Sequence, residues 1–454
     1  MAGAPSQHHR IQYLETIRGL AALQVLFLHF LSGFAPDFVW GTPHNGTFAG
    51  YIHASPLFLL YDGYSAVYIF FALSGYVLTK AFAPHTNLPA PVIASRFVRL
   101  GFPALVSCII AAIFFALFGG LNMEVGAIVH SDWYKYNWHP DQGLWAILRD
   151  GIANALFLGY RSDLGSTTSL VQSISQSYNA PLWTLSIEVY GSILIFVLCR
   201  LRQQSFRLWL FGAILCTAFF IRSHFLCFLL GHLAVGRATG EPIIPRFVAL
   251  LMLAVGGYLC VLAEFFQIEP FRALCEARTY LLAPCNNYQK IIGAMLVLLG
   301  LVQITSIRRG FSHPKLAVLG RLSFPIYLVH WPILFGFSAF LFMEMLPVVG
   351  LSSARLLAMV FGVVASLGLA IVFQPIDIWA IRLSRMIRQQ VGWTKRSVPI
   401  VSCHHHGKTV GTSRSASLPT LLARYLLNPG DAHFEANTSL RPRLSDPQHE
   451  SSRP

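Results

Sequence analysis

The chain of 454 residues is 55% hydrophobic and only 11% charged, with a mean hydropathy of +0.57. A soluble globule carries about 25% charged residues because its wet surface needs them, so a soluble multidomain protein is excluded and an integral membrane protein is expected. The formal charge of +14 then calls for no nucleic acid, since Lys and Arg gather in the cytoplasmic loops of membrane proteins.

The N-terminus, residues 1–10, is polar. The first apolar run starts near Leu14 and holds Arg18 and His29 where a signal peptide would have a small-residue cleavage site, so it is expected to remain as a membrane helix. Apolar runs long enough to cross a bilayer recur at 14–34, 64–82, 98–120, 182–200, 206–222, 223–239, 246–266, 288–305, 316–343 and 354–375, which predicts an all-α protein of about ten transmembrane helices. Arg222, Ser223 and His224 crowd the fifth and sixth, which read either as a tight hairpin or as one broken span.

Loop charges orient this count. Lys80, Arg96 and Arg99, then Arg200, Arg202 and Arg207, then Arg237 and Arg246, then Arg308, Arg309 and Lys315 fall in every second loop. The loop 35–63 has no Lys or Arg. Both termini are therefore predicted to be cytoplasmic, with Arg382, Arg385, Arg388, Lys395 and Arg396 following the last span. The sequon Asn45-Gly46-Thr47 falls in the uncharged loop, making Asn45 a glycosylation candidate; Asn437 heads a second sequon in the predicted cytoplasmic tail.

The longest loop, 121–181, contains Trp133, Tyr134, Tyr136 and Trp138, and an amphipathic stretch from Leu144 to Tyr160 that is expected to lie on the outer surface, where the loop would act as a lid. Residues 393–454 are polar and aperiodic and read as a disordered cytoplasmic tail, whose histidines His404–His406 read as solvated residues, with adventitious metal binding the alternative. The eight cysteines show no Cys-x-x-Cys spacing, so no metal site is expected, and only Cys275 and Cys285 share a polar loop.

Arg18 and His29 lie on one face of the first span, about 16 Å apart along the axis, in a stripe with Glu15, Ala22 and Val25. That stripe must face protein, because a charge at depth costs about 2.5–3.5 kcal/mol. Taken singly, His29 reads as readily as a histidine bonded between helices, and Arg18 as a boundary residue.

The run Leu14–Phe30 resembles the first-helix motif of the membrane acyltransferase-3 family. Tyr68–Thr79 is similar to its second helix, Arg96-Phe-Val-Arg99 to its Arg-x-x-Arg element, Leu182-Trp-Thr-Leu-Ser-Ile-Glu188 to its Trp and Glu helix, and Leu319–Pro332 to a late-span motif. These matches come in family order over about residues 11–380, which would be the transmembrane catalytic domain. Gly191-Ser192 resembles the fungal branch; bacterial members tend to carry a second Glu where Val189 stands, and many relatives have a further Arg in place of Ser95.

The resemblance implies transfer of an acyl group, usually acetyl, from acyl-coenzyme A to a hydroxyl of a glycan, lipid-linked sugar or small molecule. No permanently bound cofactor is implied. His29 would be the general base, or less directly an acyl-histidine relay. Glu188 would orient its imidazole or bind the acceptor. Arg96 and Arg99, at i and i+3, would hold coenzyme A phosphates with Arg18. Arg321 and His330 are further site candidates, and Trp183 is by default an interfacial anchor. A fungal secondary metabolite is the favoured acceptor, and an endomembrane such as the ER or the plasma membrane the location. The competing class is a multi-pass proton-coupled transporter, which would also bury Arg, His and Glu.

Overall fold

A backbone surrounded by hydrocarbon must satisfy its own polar groups, and among the described residues this chain does so with helices and no sheet. The structure is a computed structural model that describes residues 9–82, 89–160, 172–221, 223–238, 244–266, 268–269, 272–273 and 288–393. The tail with His404–His406 and Asn437, and the pair Cys275 and Cys285, lie outside the described residues.

The long elements are α1 (His9–Phe34), α2 (Gly63–Phe82), α3 (Pro89–Phe118), α4 (Trp183–Gln204), α5 (Phe206–Phe220), α6 (Phe225–Ala238), α7 (Arg246–Leu262), α8 (Tyr288–Gln303), α9 (Thr305–Phe311), α10 (Pro314–Pro332), α11 (Ser338–Val349) and α12 (Leu351–Trp393). Among the described residues, six helices are long and apolar enough to cross a membrane: Gln12–Phe34, Gly63–Phe82, Ile93–Phe118, Ala180–Gln204, Pro314–Val349 and Leu351–Ile387. Each expected span has a helix, but α5, α6 and α7 are shorter, and α8 meets α9 at a bend of 86°. The doubtful fifth and sixth runs are two separate helices.

Close contacts give the helix directions. Gly19 of α1 meets Leu319 of α10, with 2.5 Å from a Cβ built on the glycine to the Leu319 carbonyl carbon; Gly320 meets the Glu15 carbonyl oxygen at the same distance. No side chain fits at this crossing, so the two backbones touch. Ten residues further along each helix, His29 meets His330. Two contacts about 15 Å apart in the same order show that α1 and α10 run parallel and in register. By the same reasoning α1 runs against α12, since Phe30 packs on Gly362 while Arg18 lies near Asp377. Pairings of Ser74 with Glu188 and Phe82 with Phe196 set α2 parallel to α4.

Proline interrupts α10 with a specific consequence. Pro332 has no N–H to give the Leu328 carbonyl, which accepts the Asn179 amide instead at 2.7 Å. A π-helical turn, Ile333–Phe337, then links α10 to α11.

The 121–160 segment is a packed cover. Ser131 Oγ donates to the Ser32 carbonyl at 2.7 Å, Tyr134 Oη to the Leu334 carbonyl at 2.6 Å and the Trp138 indole to the Tyr178 carbonyl at 2.9 Å. Tyr134 and Trp138 are fully buried. The amphipathic stretch does not simply rest on a surface as expected: it forms a short helix, Leu144–Leu148, and a π-helix, Arg149–Leu158, whose inner face buries Asp150, Asn154, Ala155 and Leu156 against the bundle. Leu144, Trp145 and Leu158 stay exposed.

Candidate active site

Two clusters lie along the α1 and α10 pair. The first is a cavity of 320 Å³ bounded by α1, α2, α3, α4, α10 and α12, with Arg18, Arg96, Arg99 and Arg321 in its wall together with Glu15, Glu188 and Asp377. Arg96 is committed: its Nη2 donates to Glu188 Oε2 at 3.2 Å and its Nε to Ser192 Oγ at 3.0 Å. Glu188 accepts in addition from the Ser74 hydroxyl. Among the described residues, no carboxylate comes within ion-pair distance of Arg18, Arg99 or Arg321. Arg18 and Arg99 are half-buried and Arg321 is exposed, and guanidinium groups that share a cavity without carboxylate partners suit an anionic ligand. The remaining wall is apolar, with Val67, Phe70, Leu100 and Phe324, and it ends at Tyr327.

The second cluster surrounds His29. Its Nδ1 is 2.9 Å from His330 Nε2. Trp133 from the cover lies nearly parallel to the imidazole with ring centres 5.7 Å apart, and Trp331 meets it edge-on at 5.3 Å. His29 itself is only half-buried, whereas His330 is fully buried. Tyr327 connects the clusters: it lines the cavity, its ring lies 6.1 Å from that of His330, and its hydroxyl is tied to Thr184 Oγ1 at 2.9 Å.

The residues singled out from the sequence are thus divided. Arg18, Arg96, Arg99, Glu188 and Arg321 share one cavity, while His29 and His330 form a pair beyond it. The expected meeting of Glu188 with His29 is corrected: Glu188 pairs with Arg96 and Ser74, and the neighbour of the His29 imidazole is His330, because the parallel register of α1 and α10 brings those two together. Trp183 packs edge-on against Phe71 and His224. Sequence reading passed over Asp377, Ser74, Tyr327, Trp331 and the role of Trp133. Asp377 was detectable as the single acid of α12, two residues after Pro375; Trp133 was visible only as one of several loop aromatics. Asn45 is exposed at the end of a 3-10 turn, accepting from Thr42 Oγ1 at 3.2 Å. Among the described residues no three His, Cys, Asp or Glu side chains converge to hold a metal.

A helical membrane bundle with an arginine-lined cavity ending near a histidine pair can hold an anionic ligand beside a group able to accept a proton. The chain belongs to the acyltransferase-3 family, described as an acyltransferase domain, which matches residues 11–374. It is 25% identical to the O-acetyltransferase PaAT-1 of Phomopsis amygdali, with 84% of this chain and 85% of that protein covered. No solved structure matches. The protein is therefore an integral membrane acyltransferase.

Proposed function

We propose that the protein is an O-acetyltransferase that takes acetyl from acetyl-CoA and passes it to a hydroxyl of a small molecule, with a fungal secondary metabolite the favoured acceptor and a glycan hydroxyl the alternative. The observation that carries the donor is the group Arg18, Arg99 and Arg321, three guanidinium groups in one cavity without ion-pair partners among the described residues. Coenzyme A has the phosphates to meet them. Its pantetheine arm would follow the apolar wall along α10, past Tyr327, towards His29. The name of PaAT-1 supports acetyl and an oxygen acceptor.

In the reaction, the acceptor oxygen attacks the thioester carbonyl carbon while His29 Nε2 takes its proton. The tetrahedral intermediate collapses by breaking the C–S bond. The leaving thiolate takes the proton from His29, giving the ester, free coenzyme A and a neutral imidazole.

Ten crossings with both termini cytoplasmic are part of this proposal, supported by the helix directions and the loop charges. The arginine cavity then faces the cytoplasmic supply of acetyl-CoA, and the cover with Trp133 lies towards the other side, whether in an endomembrane or the plasma membrane. A proton-coupled carrier has only the buried charges in its favour; the acyltransferase reading gives roles to those of the arginine cavity, and the buried Lys290 and Asp62 pair takes no part in it. Purified protein in nanodiscs with acetyl-labelled acetyl-CoA should show slow donor hydrolysis, and transfer of label when extracts of the producing cells are added. Absence of both would refute the assignment.

A further inference from the structure

We propose that His330 is a positioning residue that holds His29 in the one tautomer able to act as a base at Nε2. This rests on the reading of His29 as the general base.

The argument begins at a carbonyl. His330 Nδ1 lies 3.0 Å from the Ile326 carbonyl oxygen, one helical turn earlier in α10. A carbonyl only accepts, so the proton between them belongs to His330 Nδ1. A neutral imidazole has one N–H, which leaves His330 Nε2 bare. That bare nitrogen is 2.9 Å from His29 Nδ1, and the contact needs a proton, which His29 must supply. His29 therefore carries its proton on Nδ1 and has its lone pair on Nε2. The order is Ile326 C=O, H–Nδ1 of His330, Nε2 of His330, H–Nδ1 of His29.

Ring geometry agrees with an in-plane hydrogen bond. The two imidazole planes are parallel to within 5°, with centres 5.2 Å apart. That spacing is close to the N···N distance with one ring radius added at each end, so the rings lie side by side with the N–H aimed along the plane at the lone pair. Neither ring is easily turned. The backbone contact of Gly19 with Gly320 sets the register of the helices, and Trp133 and Trp331 pack on His29 from two directions.

The arrangement does two things for the reaction. A neutral histidine side chain in water favours its proton on Nε2, so holding it on Nδ1 keeps Nε2 ready for the acceptor hydroxyl. When Nε2 takes that proton, the Nδ1–H bond to His330 becomes charge-assisted, which steadies the imidazolium until the thiolate removes the proton. A neutral histidine does this without placing a second full charge in the bundle. In serine proteases, loss of the group that holds the tautomer costs up to about 10⁴ in rate.

The test has a spectroscopic and a kinetic arm. Full-length protein with ¹⁵N-histidine is placed in lipid nanodiscs at neutral pH, and the His29 signals are assigned by difference from His29→Gln. A protonated Nδ1 and a bare Nε2 are expected. A protonated Nε2 would overturn the proposal, as it would if His330 were the doubly protonated partner. In kinetics, His330→Gln offers an amide oxygen where Nε2 was and should keep kcat within about tenfold, whereas His330→Phe should lower it about 10²- to 10³-fold with KM for both substrates little changed. His330→Phe with kcat within threefold of wild type, while His29→Ala is inactive, would also sink it. An active His29→Ala would instead remove the base reading itself, and the wild-type spectrum would still decide the tautomer.

Discussion

Arg99→Ala tests the donor cavity most directly. Four arginines against three carboxylates give the wall a net charge of +1, and Arg99 has neighbours of both signs, Arg96, Arg18, Asp377 and Glu188, without an ion pair to any of the described carboxylates. If a coenzyme A phosphate accepts from it, the hydrogen bond to a charged partner is worth about 1.5–3 kcal/mol. At about 1.4 kcal/mol per decade, the variant should bind donor about 10- to 150-fold more weakly. Glu188→Gln makes a paired comparison: it raises the wall charge to +2 and frees Arg96 from its ion pair, so donor affinity should hold or tighten. The assay is equilibrium titration of a non-reactive thioether analogue of acetyl-CoA into nanodisc-embedded protein, with the acceptor KM measured separately. Donor affinity of Arg99→Ala within twofold of wild type would refute the phosphate role. Equal weakening by Glu188→Gln would do the same, because loss of opposite charges gives the same result only when the cavity has collapsed.

His29→Ala should lower turnover by at least about 10²-fold while the same titration finds donor affinity within twofold, since the ring acts on the acceptor proton. On sidedness, expression in a eukaryotic host should give glycan, if at all, on Asn45 and none on Asn437; glycan on Asn437, seen by peptide mapping, would move the C-terminus across the membrane and with it the arginine cavity.

Composition alone determined the membrane class, because 11% charge cannot cover a wet surface of this size. The ordered motifs pointed to the family, and the i, i+3 spacing of Arg96 and Arg99 placed both on the wall of one cavity, since a local helical repeat is legible in one dimension. Pairing between helices is not. Glu188 was expected to orient the His29 imidazole or bind the acceptor, and only the packing of α4 against α2 and α3 gave it to Ser74 and Arg96. His330 lies 301 residues from His29 in the chain. The two meet because Gly19 and Gly320 let α1 and α10 touch in parallel register, and ten residues of identical helical rise then bring both imidazoles to one level. Trp133 reaches the same place from a loop held by carbonyls that α1 and the π-turn after α10 leave unpaired. Periodicity within a helix carries information about its own faces. Which face meets which, and at what depth, is decided by the points where two backbones can approach and by the carbonyls that proline and helix ends set free.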